Sequence, residues 1–514
     1  MTPLDWSIAA AYMAGVVALG MWLGRRQTGA SDYFLGKRDL PWWAVLVSVV
    51  ATETSALTVI SVPGIGFRGD LTFLQLPIGY TIGRIGVAWL LLPGYFRGEI
   101  ATAYEVLGQR WGPGARRTAS GVFLITRALA TAVRLFAGAI PLAVITGWSY
   151  PGAILAVGAV TVAYTYVGGL RAVVWVDVLQ WSIYMVAGVV ALVAAVQLAP
   201  GGLDLAAAAG KLRVFDWRIS LTAPYAFGTA LIGGAFLSAA SHGTDHLIVQ
   251  RLLATRSIGA ARAALIGSGI VVACEFTLFL LVGVAIWAAV PVLRSTAGDE
   301  VFPTFVSTHL PPVVRGLVLT GILAAAMGST ASALNSLASA TTHDYYAPLS
   351  GERDEGRLLR AGRLFTLLWA AVLVAGALLF RNRDTPVVVV ALSIASLTYG
   401  ALLGTFLLAR FARVRQRDAI VALVAGSLLM ALVVFAGQIA PLVGSPAWLE
   451  ALARLAWPWY VPLGVGLTMA LGLASSAWGT AERGHGGTDA PGHRRTGAPT
   501  HPGTGAPPQT DPAR

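Results

Sequence analysis

The chain has 514 residues, of which 56% are hydrophobic and 12% charged, and a mean hydropathy of +0.71. Its apolar residues arrive in runs longer than a soluble core uses, which excludes a water-soluble globular fold and points to a polytopic membrane protein. The formal net charge of +12 would suit a nucleic-acid partner only if the 36 Lys and Arg were pooled on one surface, and they are not.

A bilayer-crossing helix needs about 20 apolar residues. Thirteen such stretches follow one another, at 5–24, 41–62, 72–96, 119–147, 150–167, 174–199, 224–249, 264–290, 313–341, 361–380, 386–409, 418–440 and 458–478. The first has no basic residue before it, carries Asp5 and Trp6, and is followed by Arg25 and Arg26, the pattern of an uncleaved outside-to-inside anchor. With the N-terminus outside, and residues at span ends counted with the adjoining side, 24 Lys and Arg fall on the inner side, 9 on the outer side and three deep within spans, Arg84, Arg127 and Arg134. That is the positive-inside bias, so the basic residues face the cytoplasm and no nucleic acid is needed to explain them. These features predict a multi-pass protein of the plasma membrane with a cytoplasmic C-terminus. The sole cysteine, Cys274, lies in a span and has no intrachain partner. The stretch 350–360 reads as a solvated inner loop, and residues 480–514, rich in Gly, Pro and Thr, read as a disordered cytoplasmic tail.

No G-x-x-x-x-G-K-[ST] loop, H-E-x-x-H pair or Cys/His cluster of metal spacing occurs in the chain. An enzyme is therefore not expected, and transport driven by an ion gradient is. The polar residues inside spans carry the evidence.

The second span contains ATETSALTVISVPG, residues 51–64. A carboxylate near a bilayer centre costs roughly 2.5 to 3.5 kcal/mol, so Glu53 should face a cavity, a partner or an ion. Thr52, Thr54 and Ser55 compete for backbone hydrogen bonds and suit a helix break, with Pro63-Gly64 expected to end the span. Such breaks free carbonyl oxygens for a cation. A second candidate break lies in 233–251, at Ser241, His242, Gly243, Thr244 and Asp245. Five spans separate the two breaks, the spacing of a five-plus-five inverted repeat. In the ninth span, Ala325, Ser329, Ser332 and Ser336 form one stripe of small and hydroxyl side chains, which serves either close helix packing or a hard cation.

The run DYFLGKRDLPWWAVLVSVVATETSA, TAYEVLGQRWG at 102–112, VGGLRAVVWVDVLQ at 167–180, TDHLIVQR at 244–251 and AAAMGSTASALNSLAS at 324–339 together resemble the sodium:solute symporter family. The resemblance implies a fold of the leucine-transporter type, all-α, with about 13 transmembrane helices and alternating access around a central site. Residues 1–40 would hold an extra helix and inner loop, 41–199 the first repeat, 200–223 an outer loop, 224–410 the second repeat and 411–479 two further helices. It places the shared sodium site on Ala51, Thr54, Ala325, Gly328 and Ser329, where Gly328 lacks the family's hydroxyl. A second sodium site would fall on Asp177 and Ser332, with Ala331 where another hydroxyl would help; Asp177 paired with Arg171 is the plainer alternative.

For the solute, Arg127 and Arg134 share a helix face, Arg84 lies in its own span, and Glu53 is the expected opposite charge. A buried arginine suits a carboxylate, and the resemblance sets Arg134 on the cavity. Glu53, Arg84, Arg134 and Thr58 are thus the candidate solute contacts, for an organic acid or amino acid, while Glu275, Cys274, His242 and His246 read as packing or inner-gate residues. The partners implied are sodium, a small organic solute and the bilayer, with no organic cofactor and no obligatory protein partner. A sensor on the same fold and a proton-coupled symporter are the alternatives.

Overall fold

The computed structural model describes residues 2–25, 27, 29–98, 100–380 and 387–485, and is helical throughout, with no strand among them. The principal helices are α1 Pro3–Gly24, α2 Trp42–Glu53, α3 Ala56–Arg68, α4 Gln75–Leu90, α5 Pro113–Thr146, α6 Tyr150–Leu198 and α7 Phe227–Gly243. They continue as α8 His246–Leu253, α9 Ile258–Ala289, α10 Val314–Ala340, α11 Glu355–Leu379, α12 Val387–Leu408, α13 Gln416–Val434 and α14 Tyr460–His485. Residues 1–476 form one compact unit, and those from 477 on a second, whose described part continues α14 as far as His485. The expected tail beyond that point lies outside the described residues.

Each of the thirteen expected stretches overlies a helix or a helix pair. By length and composition alone, eight helices among the described residues can cross a membrane, or nine if the bent pair α2/α3 counts as one span. Three boundaries differ from expectation. Pro63 does not end its span; it sits inside α3, which runs on to Arg68, because neighbouring helices can satisfy the backbone that a proline disturbs. The stretches 150–167 and 174–199 are not parted by a loop but joined in α6 across Gly169, whose φ of 57° and ψ of −167° turn the chain within one residue. The acidic and basic stretch 350–360 is loop only as far as Asp354, which caps α11 by accepting from the Arg357 N–H at 2.8 Å, and helix from Glu355 on.

The first break is real. α2 and α3 are bent by 66° at Thr54 and Ser55, whose backbones are extended (ψ 120° and 179°). The Thr54 N–H still reaches the Val50 carbonyl at 2.8 Å. The carbonyls of Ala51 and Thr54 accept no hydrogen bond among the described residues, as expected of a helix C-terminus. The second break also forms: α7 ends at Gly243, Thr244 leaves the helix, and the Asp245 side chain caps α8 by accepting from the Leu247 N–H at 2.9 Å. The chain entering α2 and the chain leaving α8 lie side by side, with the Leu40 N–H bonded to the Ala254 carbonyl at 3.1 Å.

Close approach of backbones holds the breaks in place. A methyl at Gly283 of α9 would lie 1.9 Å from the Pro63 carbonyl oxygen of α3, and one at Gly83 of α4 would lie 2.2 Å from the Ala235 carbonyl oxygen of α7. Only glycine permits either contact. α10 is buried along nearly its whole length between α6, α5 and α1, and its small residues admit Tyr164, whose hydroxyl donates to the Met327 carbonyl at 3.2 Å.

Candidate functional site

The break in α2/α3 opens into a cavity of about 110 Å³, part of it open to solvent. Glu53 and Thr58 line it from the broken span, Arg127 and Arg134 from α5, Ser238 and Ser241 from α7, and Tyr399 from α12, with Phe73 and Phe276 as apolar walls.

Four buried or half-buried arginines surround this region, and the structure separates them by their partners. Arg84 is fully buried and outside the cavity lining; it pairs with Glu53 and donates to Ser268 Oγ at 2.6 Å and Ser238 Oγ at 3.3 Å. Its guanidinium is thus spoken for within the protein. Arg127 pairs with Asp245 and donates to the Tyr399 hydroxyl at 2.7 Å, while that hydroxyl donates to Asp245 at 2.7 Å. Arg251 is fully buried beside Asp177. Arg134 has no carboxylate partner among the described residues. Its sole hydrogen bond there is a 3.4 Å contact to the Thr52 carbonyl, and its buried Nε has none. Glu53, expected to face the arginines collectively, is committed to Arg84, with His242 Nε2 at 3.5 Å. The cavity is therefore lined by Glu53 and Arg127, each neutralised by a partner outside the lining, and by Arg134, which has no carboxylate partner among the described residues.

Beside the predicted sodium residues, the Thr52 hydroxyl lies 3.2 Å from that of Ser332, and a methyl added at Gly138 would lie 2.7 Å from the Ala326 Cβ and 3.6 Å from the Ala56 Cβ. Ser329 Oγ has only a 3.3 Å bond to the Ala326 carbonyl. Gly328 has a reason of its own: a Cβ there would sit 2.6 Å from Gln180 Oε1 and 3.3 Å from Asp177 Oδ1, so the space of a side chain is taken by those two oxygens.

Asp177 and Ser332, the expected second sodium pair, are also brought together, but around an arginine. Arg251 Nη2 lies 3.4 Å from Asp177 Oδ2 and donates to Ser332 Oγ, its Nε donates to Ser48 Oγ at 2.9 Å, and Ser48 in turn donates to Asp177 Oδ2 at 2.6 Å. Arg171, the anticipated partner of Asp177, instead pairs with Asp39 at 3.3 Å. Spacing could not show this, because Arg251 stands at the end of its predicted span and counts there as an inner basic residue. Asp245 and Tyr399, which hold Arg127, are likewise distant in sequence from it.

Glu275, read as a packing or inner-gate residue, is fully buried in α9, where its carboxyl accepts from the Thr54 hydroxyl, from Trp181 Nε1 at 3.3 Å and from the Tyr184 hydroxyl at 3.4 Å. His246 is held between Ser339 Oγ at 3.1 Å and the Ala103 N–H at 3.4 Å, and Cys274 is exposed.

Known proteins share both sequence and fold. The chain is 29% identical over 427 residues to a sodium/sialic acid symporter of Aliivibrio fischeri, covering 80% of this chain and 83% of that protein. It is 28% identical to sodium-coupled monocarboxylate transporter 1 of Xenopus laevis, covering 78% and 67%. A solved structure of a sodium-coupled sialic acid symporter in a substrate-bound outward-open state superposes with a TM-score of 0.81 at 24% identity, covering 93% of this chain and 98% of that one. The sequence profile of the sodium:solute symporter family matches residues 33–426. With an all-helical fold broken at two spans and a family profile that matches most of its length, the chain belongs to the sodium:solute symporter family and is a multi-pass sodium-coupled symporter.

Proposed function

We propose that the solute is a small monoanionic carboxylate, carried inward with sodium by alternating access. The observation that carries this reading is Arg134, the one arginine on the cavity without an acidic partner among the described residues. A guanidinium in a largely desolvated pocket calls for a counter-ion, and a carboxylate matches its planar fork. An amino acid fits less well, because the carboxylate that would meet its ammonium, Glu53, is already neutralised by Arg84. Thr58, on the cavity wall one turn past the break, supplies a hydroxyl for the rest of the solute. The relatives named for sialic acid and monocarboxylates are in keeping with an acid.

Sodium is assigned to the carbonyls of Ala51, Thr54 and Ala325 and the Ser329 hydroxyl, beside Gly328. The Asp177–Ser332 pair holds Arg251 in place of an ion, which favours one coupled sodium per cycle. The architecture proposed around the site is thirteen spans in the plasma membrane, N-terminus outside and C-terminus cytoplasmic, with 41–199 and 224–410 as inverted repeats and no obligatory protein partner. Thermal stabilisation of the purified protein by sodium, screened against organic acids, their amides, amino acids and sugars, tests the reading. Stabilisation by acids that their amides do not reproduce is expected; equal stabilisation by amides or sugars refutes it.

A further inference from the structure

The sodium site just assigned is made of neutral oxygens, carbonyls and one hydroxyl, so an ion bound there brings a full positive charge into a buried region. Close by is a buried carboxyl group with no cation paired to it among the described residues. Glu275 is 0% exposed, and no Lys, Arg or His forms an ion pair with it among the described residues. Its three neighbours are all donors, Thr54 from the break and Trp181 and Tyr184 from α6, an arrangement that suits an ionised carboxylate. Thr54 joins the two halves: its carbonyl is assigned to sodium, and its hydroxyl donates to Glu275. A cation on that carbonyl lies within one residue of the carboxylate.

We propose that Glu275 is the counter-charge of the transported sodium, acting through Thr54 as a positioning residue rather than as a direct ligand. The inference rests on the sodium assignment above. It also closes a charge balance. The pairs Arg84–Glu53, Arg127–Asp245 and Arg251–Asp177 are each neutral, which leaves Arg134 and Glu275 as the uncompensated charges around the cavity and break. The empty region then carries no net charge. Sodium alone makes it positive and a monoanionic solute alone makes it negative, while sodium and solute together restore neutrality. Half-loaded carriers hold a net charge in a poorly polarisable interior, and fully loaded or empty ones do not. Each ligand therefore strengthens the binding of the other, and the coupling is reciprocal.

The experiment is sodium titration of thermal stability on the purified full chain, alone and with a saturating acid found by the screen above. Glu275→Gln keeps the side chain's shape and removes its charge. It is expected to raise the sodium-free melting temperature, to weaken sodium binding roughly tenfold or more, and to strengthen binding of the acid in the absence of sodium. A merely structural Glu275 would give the opposite first result, a loss of sodium-free stability. Should the Gln variant not fold, Thr54→Val, which keeps the carbonyl and removes the hydroxyl bridge, is expected to weaken sodium by a smaller factor, and Glu275→Asp to fall between that variant and wild type. Sodium affinity within twofold of wild type in Glu275→Gln, or in Thr54→Val if only that folds, overturns the proposal. Wild type that sodium fails to stabilise overturns the sodium assignment itself, so the two failures are told apart.

Discussion

Replacing Arg134 by alanine separates recognition of the solute from stability of the fold. The side chain makes one long hydrogen bond inside the protein, 3.4 Å to the Thr52 carbonyl. Its loss should change stability by about 1 kcal/mol or less, and removing an unpaired buried charge pushes the other way. Affinity should respond far more. Truncating one partner of a desolvated charge pair costs about 2 to 5 kcal/mol, and with the cavity partly open to solvent a value near 3 is reasonable, or roughly a hundredfold in affinity at 1.4 kcal/mol per factor of ten. Arg84 supplies the contrast. It holds Glu53, Ser268 and Ser238, so Arg84→Ala strands a buried carboxylate and should cost about 3 to 5 kcal/mol of stability. The assay is uptake of the radiolabelled acid into proteoliposomes, with melting temperatures of both variants measured without solute. Arg134→Ala should raise the half-saturating concentration about a hundredfold, melt like wild type, and lose discrimination between the acid and its amide. Unchanged acid uptake by Arg134→Ala would refute the reasoning, as would a melting temperature as depressed as that of Arg84→Ala.

Ser329→Ala should weaken sodium activation about tenfold, the effect of losing one ligand where Gly328 offers no second hydroxyl; unchanged sodium dependence removes Ser329 from the site. Sodium and solute fluxes measured together in vesicles at fixed voltage should give a ratio of one. With a monoanion that exchange is electrically silent, and a ratio of two would show that Asp177 and Ser332 bind an ion despite Arg251. Arg251→Ala, if it folds, should steepen the sodium dependence by vacating that pair, and a slope identical to wild type would deny the arginine this role. A reporter in the 200–223 loop should be accessible from outside and one fused after the C-terminus only from inside; both on one side would sink the proposed topology.

The breaks were legible because they depend on local chemistry. Thr52, Thr54 and Ser55 announce competition with the helix ladder, and the polar run to Asp245 does so again, where the structure duly leaves the helix. The end of a span at Pro63 was misread, since whether a proline terminates a helix depends on what packs around it, here the backbone of α9 at Gly283. Arg134 as a cavity residue is what the resemblance to the symporter family implies, and it lines the cavity. That Arg84 is a structural ion pair and Arg134 a free charge does not follow from it, because the distinction lies in Ser238, Ser268 and Glu53, on three other spans. Arg251 and Glu275 were hidden for the same reason. Their partners Asp177, Ser332, Thr54 and Tyr184 are tens to hundreds of residues away, and sequence spacing says nothing about contacts at that range.

The glycine contacts have a mechanical side. Gly283 and Gly66 set α9 and α3 backbone to backbone, Gly79 and Gly83 do the same for α4 and α7, and Gly269 brings α9 to α4 at Thr81. Arg84 then crosses from α4 to Glu53 at the end of α2, Ser238 on α7 and Ser268 on α9. Helices so close have no side-chain cushion on which to slide, and a single guanidinium clamps all four at one level. Packed in this way the four resist sliding past one another, and a change of shape is expected at the seam against α5, α6, α10 and α12, which is crossed by the Arg127–Asp245–Tyr399 contacts and which also contains Arg134.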